Sequence, residues 1–367
     1  MSIGGRPLAD QKTGEPLCCE KTPLLHTLRD QEPNLPKQSP VYHGAVDYIK
    51  AIAIVCVVIT HSGLRGSDPD LSALERIIRQ SWVGFQVPAF FLVAGFLYHK
   101  REQISLPEML RRLSRILVPY LIASVIALML GFGRPLTFDR VLFNLATGNV
   151  IGIYYFVFAL CLCIPFIWLY SRIPVPLIWL LLALLLGYSA LFGFGYLTPV
   201  TQGFFWRARD LLVTFFLGYF TIGWLVAEYF DGLKAALLPR RHLLLAPLAA
   251  GVVLYASLKA RAFWLEVNPT RPFSFYKIGY SLGVTSLIIL TTYRLGVPRF
   301  VRFLSEASLT IYLYHRIIQL ELLPMSREWD ILPRFVFLLL AGLLGSSLIA
   351  GLGRTIAAKR SRLLLGY

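Results

Sequence analysis

Charged side chains are scarce in this sequence. Asp, Glu, Lys and Arg together make up 15% of its 367 residues, whereas 56% are hydrophobic and the mean hydropathy is +0.62. Ordinary soluble domains carry roughly a quarter charged residues, so the deficit excludes a pair of such domains and points to a polytopic membrane protein. Negative charge is the scarcer sign: 20 acidic residues stand against 36 basic ones, a formal net charge of +16. That excess would suit nucleic acid if it covered one soluble face. Here it falls in short connections between apolar runs, where the positive-inside bias accounts for it, and no nucleic-acid partner is expected.

Cysteine is sparse as well. Cys18 and Cys19 are adjacent near the N-terminus and Cys56, Cys161 and Cys163 lie in apolar runs, with no disulfide or metal spacing, so no metal cofactor is expected. Also missing are a Walker loop, a Gly-x-Gly-x-x-Gly turn, a His-Glu-x-x-His pair and a Gly-x-Ser-x-Gly elbow. ATPase, dinucleotide enzyme, zinc protease and serine hydrolase each lose their usual signature. No repeat with a period of about 20 to 50 residues is visible.

What is present is a succession of apolar windows. Residues 1–44 hold Pro7, Pro16, Pro23, Pro33, Pro36 and Pro40 among mixed charges and read as a flexible cytoplasmic tail. The first apolar window begins too late for a cleaved signal, so it is expected to remain as a helix. Windows follow near 45–63, 82–99, 116–133, 153–170, 177–193, 210–227, 243–259, 276–293, 308–323 and 331–352. The expected fold is an all-α polytopic membrane protein: a bundle of about ten transmembrane helices over residues 45–353 and a basic tail over 354–367, with both termini cytoplasmic.

The first window carries Asp47, Lys50 and His61, ionisable groups where lipid-facing helices carry none. At ~100° per residue Lys50 and His61 return to within ~20° of one face, about 16 Å apart along the axis, with Asp47 close to that face. A charge at the bilayer centre costs at least ~2.5 kcal/mol, so this stripe should face protein or water. His61 is the candidate general base, since imidazole exchanges a proton near neutral pH; its bland reading is an interfacial histidine at a helix end.

Three other stretches bear on chemistry. Arg111-Arg112-Leu-Ser-Arg115 sets guanidiniums one turn apart, a spacing that grips phosphate oxygens, although basic residues in that connection also follow from topology alone. Phe303–Arg316 opens the ninth window and is unusually polar, with Ser305, Glu306, Ser308, Tyr312 and His315; it reads either as chemistry or as a hydrogen-bond cluster that locks helix packing. Trp82–Phe96 mixes glycine with aromatics and reads as a packing surface, with Pro88 expected to kink it and Gln86 near the level of His61.

Together these stretches resemble the acyltransferase 3 family of integral membrane acyltransferases. Asp47-Tyr-Ile-Lys50, ten intervening residues and His61 resemble its opening helix. Val87-Pro88-Ala-Phe90-Phe91 with Gly95-Phe96 looks like its second helix, Arg112-Leu-Ser-Arg115 with Pro119-Tyr120 is similar to its Arg-x-x-Arg segment, and Ser308-Leu-Thr-Ile-Tyr312-Leu-Tyr314-His315 resembles a late serine-to-histidine stretch. Departures are lysine rather than arginine at position 50, Tyr155-Phe156 where Trp-Phe is common, and Glu306 near a common glycine.

The resemblance implies a stand-alone, acyl-CoA-dependent O-acyltransferase of the bacterial plasma membrane. Its donor would be acetyl-CoA, with succinyl-CoA as the competitor, and its acceptor a sugar or polysaccharide hydroxyl, lipid-linked or not. The roles it implies are catalytic for His61, Asp47 and His315, donor-binding for Lys50, Arg111, Arg112 and Arg115, and acceptor-binding for Gln86 and Glu306. The rival class is a transporter or flippase for a lipid-linked sugar, which a polar stripe in a bundle also fits but which lacks a visible inverted repeat.

Overall fold

The computed structural model describes residues 40–62, 82–132, 137–193, 216–264 and 275–357. Residues 1–39 of the expected 1–44 tail, the connection after the first helix and the basic end beyond residue 357 lie outside the described residues, while residues 40–44 already belong to the first helix. Within them every regular element is helical. The α-helices are α1 (Pro40–His61), α2 (Gln86–Tyr98), α3 (Leu106–Met129), α4 (Phe138–Thr147), α5 (Tyr155–Tyr170), α6 (Val175–Gly193), α7 (Leu217–Glu228), α8 (Phe230–Leu237), α9 (Arg241–Trp264), α10 (Phe275–Thr292), α11 (Arg299–Glu306), α12 (Ser308–Leu322) and α13 (Ile331–Ala357).

Five described segments are long and apolar enough to cross a bilayer: Gly44–His61, Leu106–Met129, Gly152–Tyr170, Arg241–Arg261 and Ile331–Thr355. Shorter apolar helices run over Gln86–Tyr98, Val175–Tyr188 and Lys277–Thr292. In hydrocarbon a helix satisfies its own backbone groups, and an all-helical chain with these spans is an integral membrane protein. Neighbours bury 56% of the α1 span but only 6% of the α9 span, so α1 is central and α9 peripheral.

The centre is built on α1, which packs against α2, α10, α11 and α12. Next to it α2 and α7 approach until their backbones touch: a Cβ at Gly95 would collide with the Phe220 carbonyl, and one at Gly223 with that of Leu92. With no hydrophobic drive between helices in lipid, such close approach supplies the dispersion contacts that hold them together. Cross-bonds tie α12 to the turn before α5. Tyr154 Oη donates to the Leu313 carbonyl at 2.8 Å and Tyr312 Oη donates to the Ile153 carbonyl.

Local signals place three elements differently from the hydropathy windows. α3 begins ten residues before the window at 116, because Ser105 caps it by accepting from the Glu108 amide at 3.3 Å and Pro107 suits its first turn. Arg111, Arg112 and Arg115 therefore stand on a helix, not in a connecting loop. The polar stretch 303–316 is split at Ala307, so Glu306 ends α11 while His315 belongs to α12. Pro88 falls in the first turn of α2, where its missing N–H leaves no helix bond unmade, so it starts the helix and does not kink it.

Candidate functional site

The two ends of α1 carry different chemistry. At its Lys50 end a cavity of about 690 Å³ opens between α1, α2, α3, α5, α11, α12 and α13. Lys50, Arg112, Arg115 and Arg354 bring four cationic side chains to its wall, and Glu306 brings one carboxylate. Phe90, Phe156, Leu160 and Tyr312 supply apolar wall.

Arg112 and Arg354 are held in place by hydrogen bonds and ion pairs. Arg112 donates from Nη1 to the Tyr98 carbonyl at 2.8 Å and from Nη2 to Glu108 Oε1 at 2.6 Å, with its guanidinium 5.4 Å from the centroid of the Tyr98 ring. Glu108 also pairs with Lys100 at 2.7 Å. Arg354 reaches Glu306 at 3.1 Å and lies over the Phe303 ring. Asp47 accepts from Ser305 Oγ at 2.6 Å, joining α1 to α11, and Lys50 lies within the fields of both Asp47 and Glu306. Part-buried polar contacts of this kind fix side-chain direction more than they add stability.

At the opposite end, His61 closes α1. Helix ends leave orphan carbonyls, and two of those of α1 are met from α12: Arg316 Nη1 donates to the His61 carbonyl at 2.7 Å and Gln319 Nε2 to the Val58 carbonyl at 3.4 Å, while Gln319 Nε2 also donates to the Ser62 hydroxyl at 3.1 Å. A guanidinium also complements the negative end of the helix dipole. From α2, Gln86 Nε2 donates to Thr60 Oγ1 at 3.2 Å.

The His61 ring packs against α12. Its centroid is 5.6 Å from that of His315, with the planes tilted by 41°. His315 is fully buried, and its Nδ1 stands 2.9 Å from the Ile311 carbonyl. A carbonyl can only accept, so Nδ1 carries the proton and Nε2 presents a lone pair. That Nε2 is buried without a hydrogen-bond partner among the described residues, as is Gln86 Oε1. Buried acceptors are ordinarily paired, so two orphans beside His61 mark a place for a donor group.

The histidine pair and the cavity are separated by one aromatic layer. Tyr312 lines the cavity, and its ring centroid is 6.0 Å from that of His315, one turn further along α12. Tyr312 packs on Phe156 with centroids 4.8 Å apart.

The expected site residues therefore fall into two groups. Lys50, Arg112 and Arg115 meet at the cavity, with Asp47 beside Lys50; His61, His315 and Gln86 meet at the other end. Glu306 belongs with the cations and not with Gln86, and Arg111 is exposed and is not among the cavity-lining residues. Arg354 is the residue that sequence reasoning passed over: it follows the last apolar window and reads as part of a tail, but α13 carries it into the cavity wall. Only its basic charge in a last helical turn hints at this.

Fold and site together describe an integral membrane protein whose bundle carries a cation-lined cavity and a histidine pair in which His315 is fully buried. Residues 43–351 match the family model for an acyltransferase domain, that of the acyltransferase 3 family. The match takes in most of the chain and both halves of the site. The chain belongs to the acyltransferase 3 family, and a membrane acyltransferase is the activity this supports. Neither the curated proteins nor the solved structures contain a match.

Proposed function

We propose that this protein is an O-acetyltransferase of the plasma membrane that moves acetyl from cytoplasmic acetyl-CoA to a hydroxyl of a cell-surface or exopolysaccharide sugar. The observation that carries the reading is the cavity at the Lys50 end of α1, four cationic side chains around an apolar throat that stops one aromatic layer short of the His61–His315 pair. A phosphorylated nucleotide matches the cations, and an uncharged thioester arm matches the throat. The ~16 Å between Lys50 and His61 along α1 is of the order such an arm must cover.

In this reading both termini are cytoplasmic, about ten helices cross the membrane, and the Lys50 end, with Lys100, Arg101 and Arg111, faces the cytoplasm as the positive-inside bias requires. Arg112, Arg115 and Lys50 hold the donor phosphates. A guanidinium on phosphate is a charge-assisted contact, and the existing bonds of Arg112 keep it extended toward the cavity. His61 takes the proton of the acceptor hydroxyl as its oxygen attacks the thioester carbonyl. The carbon–sulfur bond breaks, and the CoA sulfur leaves with the proton returned by His61. His315 packs against the His61 ring and orients it, and its unfilled Nε2 accepts a hydrogen bond from the incoming acceptor. Gln86 Oε1 accepts from the sugar.

The test is transfer in detergent, where no gradient exists. Solubilised protein given labelled acetyl-CoA and surface glycan should release CoA thiol and label the glycan, with succinyl-CoA run beside it to read acyl preference. Labelling from neither donor, with gradient-driven sugar uptake into vesicles without CoA, would replace this reading by transport.

A further inference from the structure

Arg112 takes its direction from a backbone carbonyl at the end of another helix. α2 stops at Tyr98 because His99 leaves the helical region, with φ −59° and ψ 137°. The last carbonyls of a helix lack partners within it and carry the negative end of its dipole, and the Tyr98 carbonyl is the one that accepts from Arg112 Nη1 at 2.8 Å. The Tyr98 ring adds a face for the guanidinium, and both residues line the cavity. Where the chain turns at residue 99 therefore decides where Arg112 points.

That turn is fixed by the side chain that makes it. His99 Nε2 donates to Glu228 Oε2, at the end of α7, at 2.7 Å, and its ring packs edge-on against Trp224, one turn earlier on α7, with centroids 4.8 Å apart. Trp224 is itself buried, and Tyr170 of α5 packs on it while bonding Thr221 at 2.6 Å. The His99 side chain is 10% exposed. The adjacent ion pairs do less: Arg101 and Asp231 stand 3.9 Å apart and largely exposed, where a pair adds little, and Lys100 holds Glu108 on the helix of Arg112 itself. Neither His99 nor Glu228 is among the cavity-lining residues.

We propose that His99 and Glu228 are positioning residues for the donor site: their pair fixes the end of α2 so that the Tyr98 carbonyl and ring hold Arg112 extended toward a phosphate in the cavity. The identity of that ligand as a phosphorylated nucleotide rests on the acyltransfer reading; the chain of contacts from Glu228 through His99 and Tyr98 to Arg112 does not. Without the pair, Arg112 keeps only Glu108, four residues back at 2.6 Å, and is drawn along α3. Its charge stays and its aim is lost, so donor binding weakens while the chemical step is untouched.

Equilibrium binding to the full chain in detergent tests this, with CoA and inorganic pyrophosphate as probes. His99→Ala should weaken both by about threefold to tenfold, the range for one hydrogen bond lost, and Glu228→Ala should do the same from the other partner. His99→Gln, which keeps an N–H donor, should restore binding. Combined with Arg112→Ala, His99→Ala should add nothing further, whereas a general loosening of the bundle would weaken binding with or without Arg112. In labelled transfer the KM for acetyl-CoA should rise and kcat stay. Parent-like affinity in both single alanine variants, or an equal loss with and without Arg112, overturns the proposal. Pyrophosphate binding that depends on His99 through Arg112, in a chain that binds no CoA, sinks the acyltransfer reading alone. Acetyl transfer with parent-like donor affinity in His99→Ala and Glu228→Ala sinks the positioning pair alone.

Discussion

The two ends of α1 solve opposite problems. At the Lys50 end several cations surround an open volume and are kept apart by carboxylates, Glu108 beside Arg112 and Glu306 beside Arg354. At the His61 end there is a single close pair of imidazoles, and the helix terminus is clamped by Arg316, Gln319 and Gln86. The first arrangement suits a ligand that brings its own charge. The second suits a proton that must move between fixed groups, where an error of an ångström costs more than any single contact. The proposed function assigns binding and chemistry to separate ends of one helix, and on it substitutions at the two ends should fail in different ways.

The largest effect is expected at the histidine end. His61→Ala should lower kcat for labelled acetyl transfer by about 10²–10⁴ while leaving acetyl-CoA binding intact, the range for loss of a general base. A variant that transfers as fast as the parent would remove His61 from the mechanism. His315→Ala should cost less, about tenfold to a hundredfold in kcat, since it removes only a partner that orients the base. Its KM for acetyl-CoA should not move, and His315→Gln, which retains an acceptor, should recover part of the rate. A shift in KM alone would place His315 with the donor cavity instead.

Gly95→Val tests the frame that both ends share. It forces α2 away from α7, and overpacking of this kind destabilises by typically 1–3 kcal/mol, to be read as a lower unfolding temperature in detergent. Both ends should suffer together. The smallest expected effect is at the cavity: Arg112→Ala or Arg115→Ala should raise the KM for acetyl-CoA by about tenfold with kcat nearly unchanged, as loss of one phosphate contact does. Unchanged donor affinity in both variants would return these arginines to a topological role.

Much of the site was legible before any coordinates. The polar stripe on α1 follows from helical period alone, and the His61 ring does pack against a neighbouring helix. Gln86 at the level of His61 also follows from its place in the second apolar window. Other features were not legible, each for a local reason. A serine cap and a proline outweigh hydropathy at the start of α3, so a window that sums apolar character begins ten residues late. The break at Ala307 has no proline or glycine to announce it, and it sends Glu306 to the cations and His315 to the base. Arg354 looks like tail because charge ends an apolar window even where the helix goes on.

Apolar windows, the sign of the charge excess and the spacing of a few side chains suffice to say that this chain is a membrane helix bundle with Lys50 and His61 on one stripe. Those are properties of composition and of a 3.6-residue period, and both are local. That His315 comes to lie against His61, that Glu306 pairs with Arg354, and that Tyr255 stacks on Tyr280 are decided by which helices neighbour one another. A helix's own period says which face is polar; only packing says what stands opposite it.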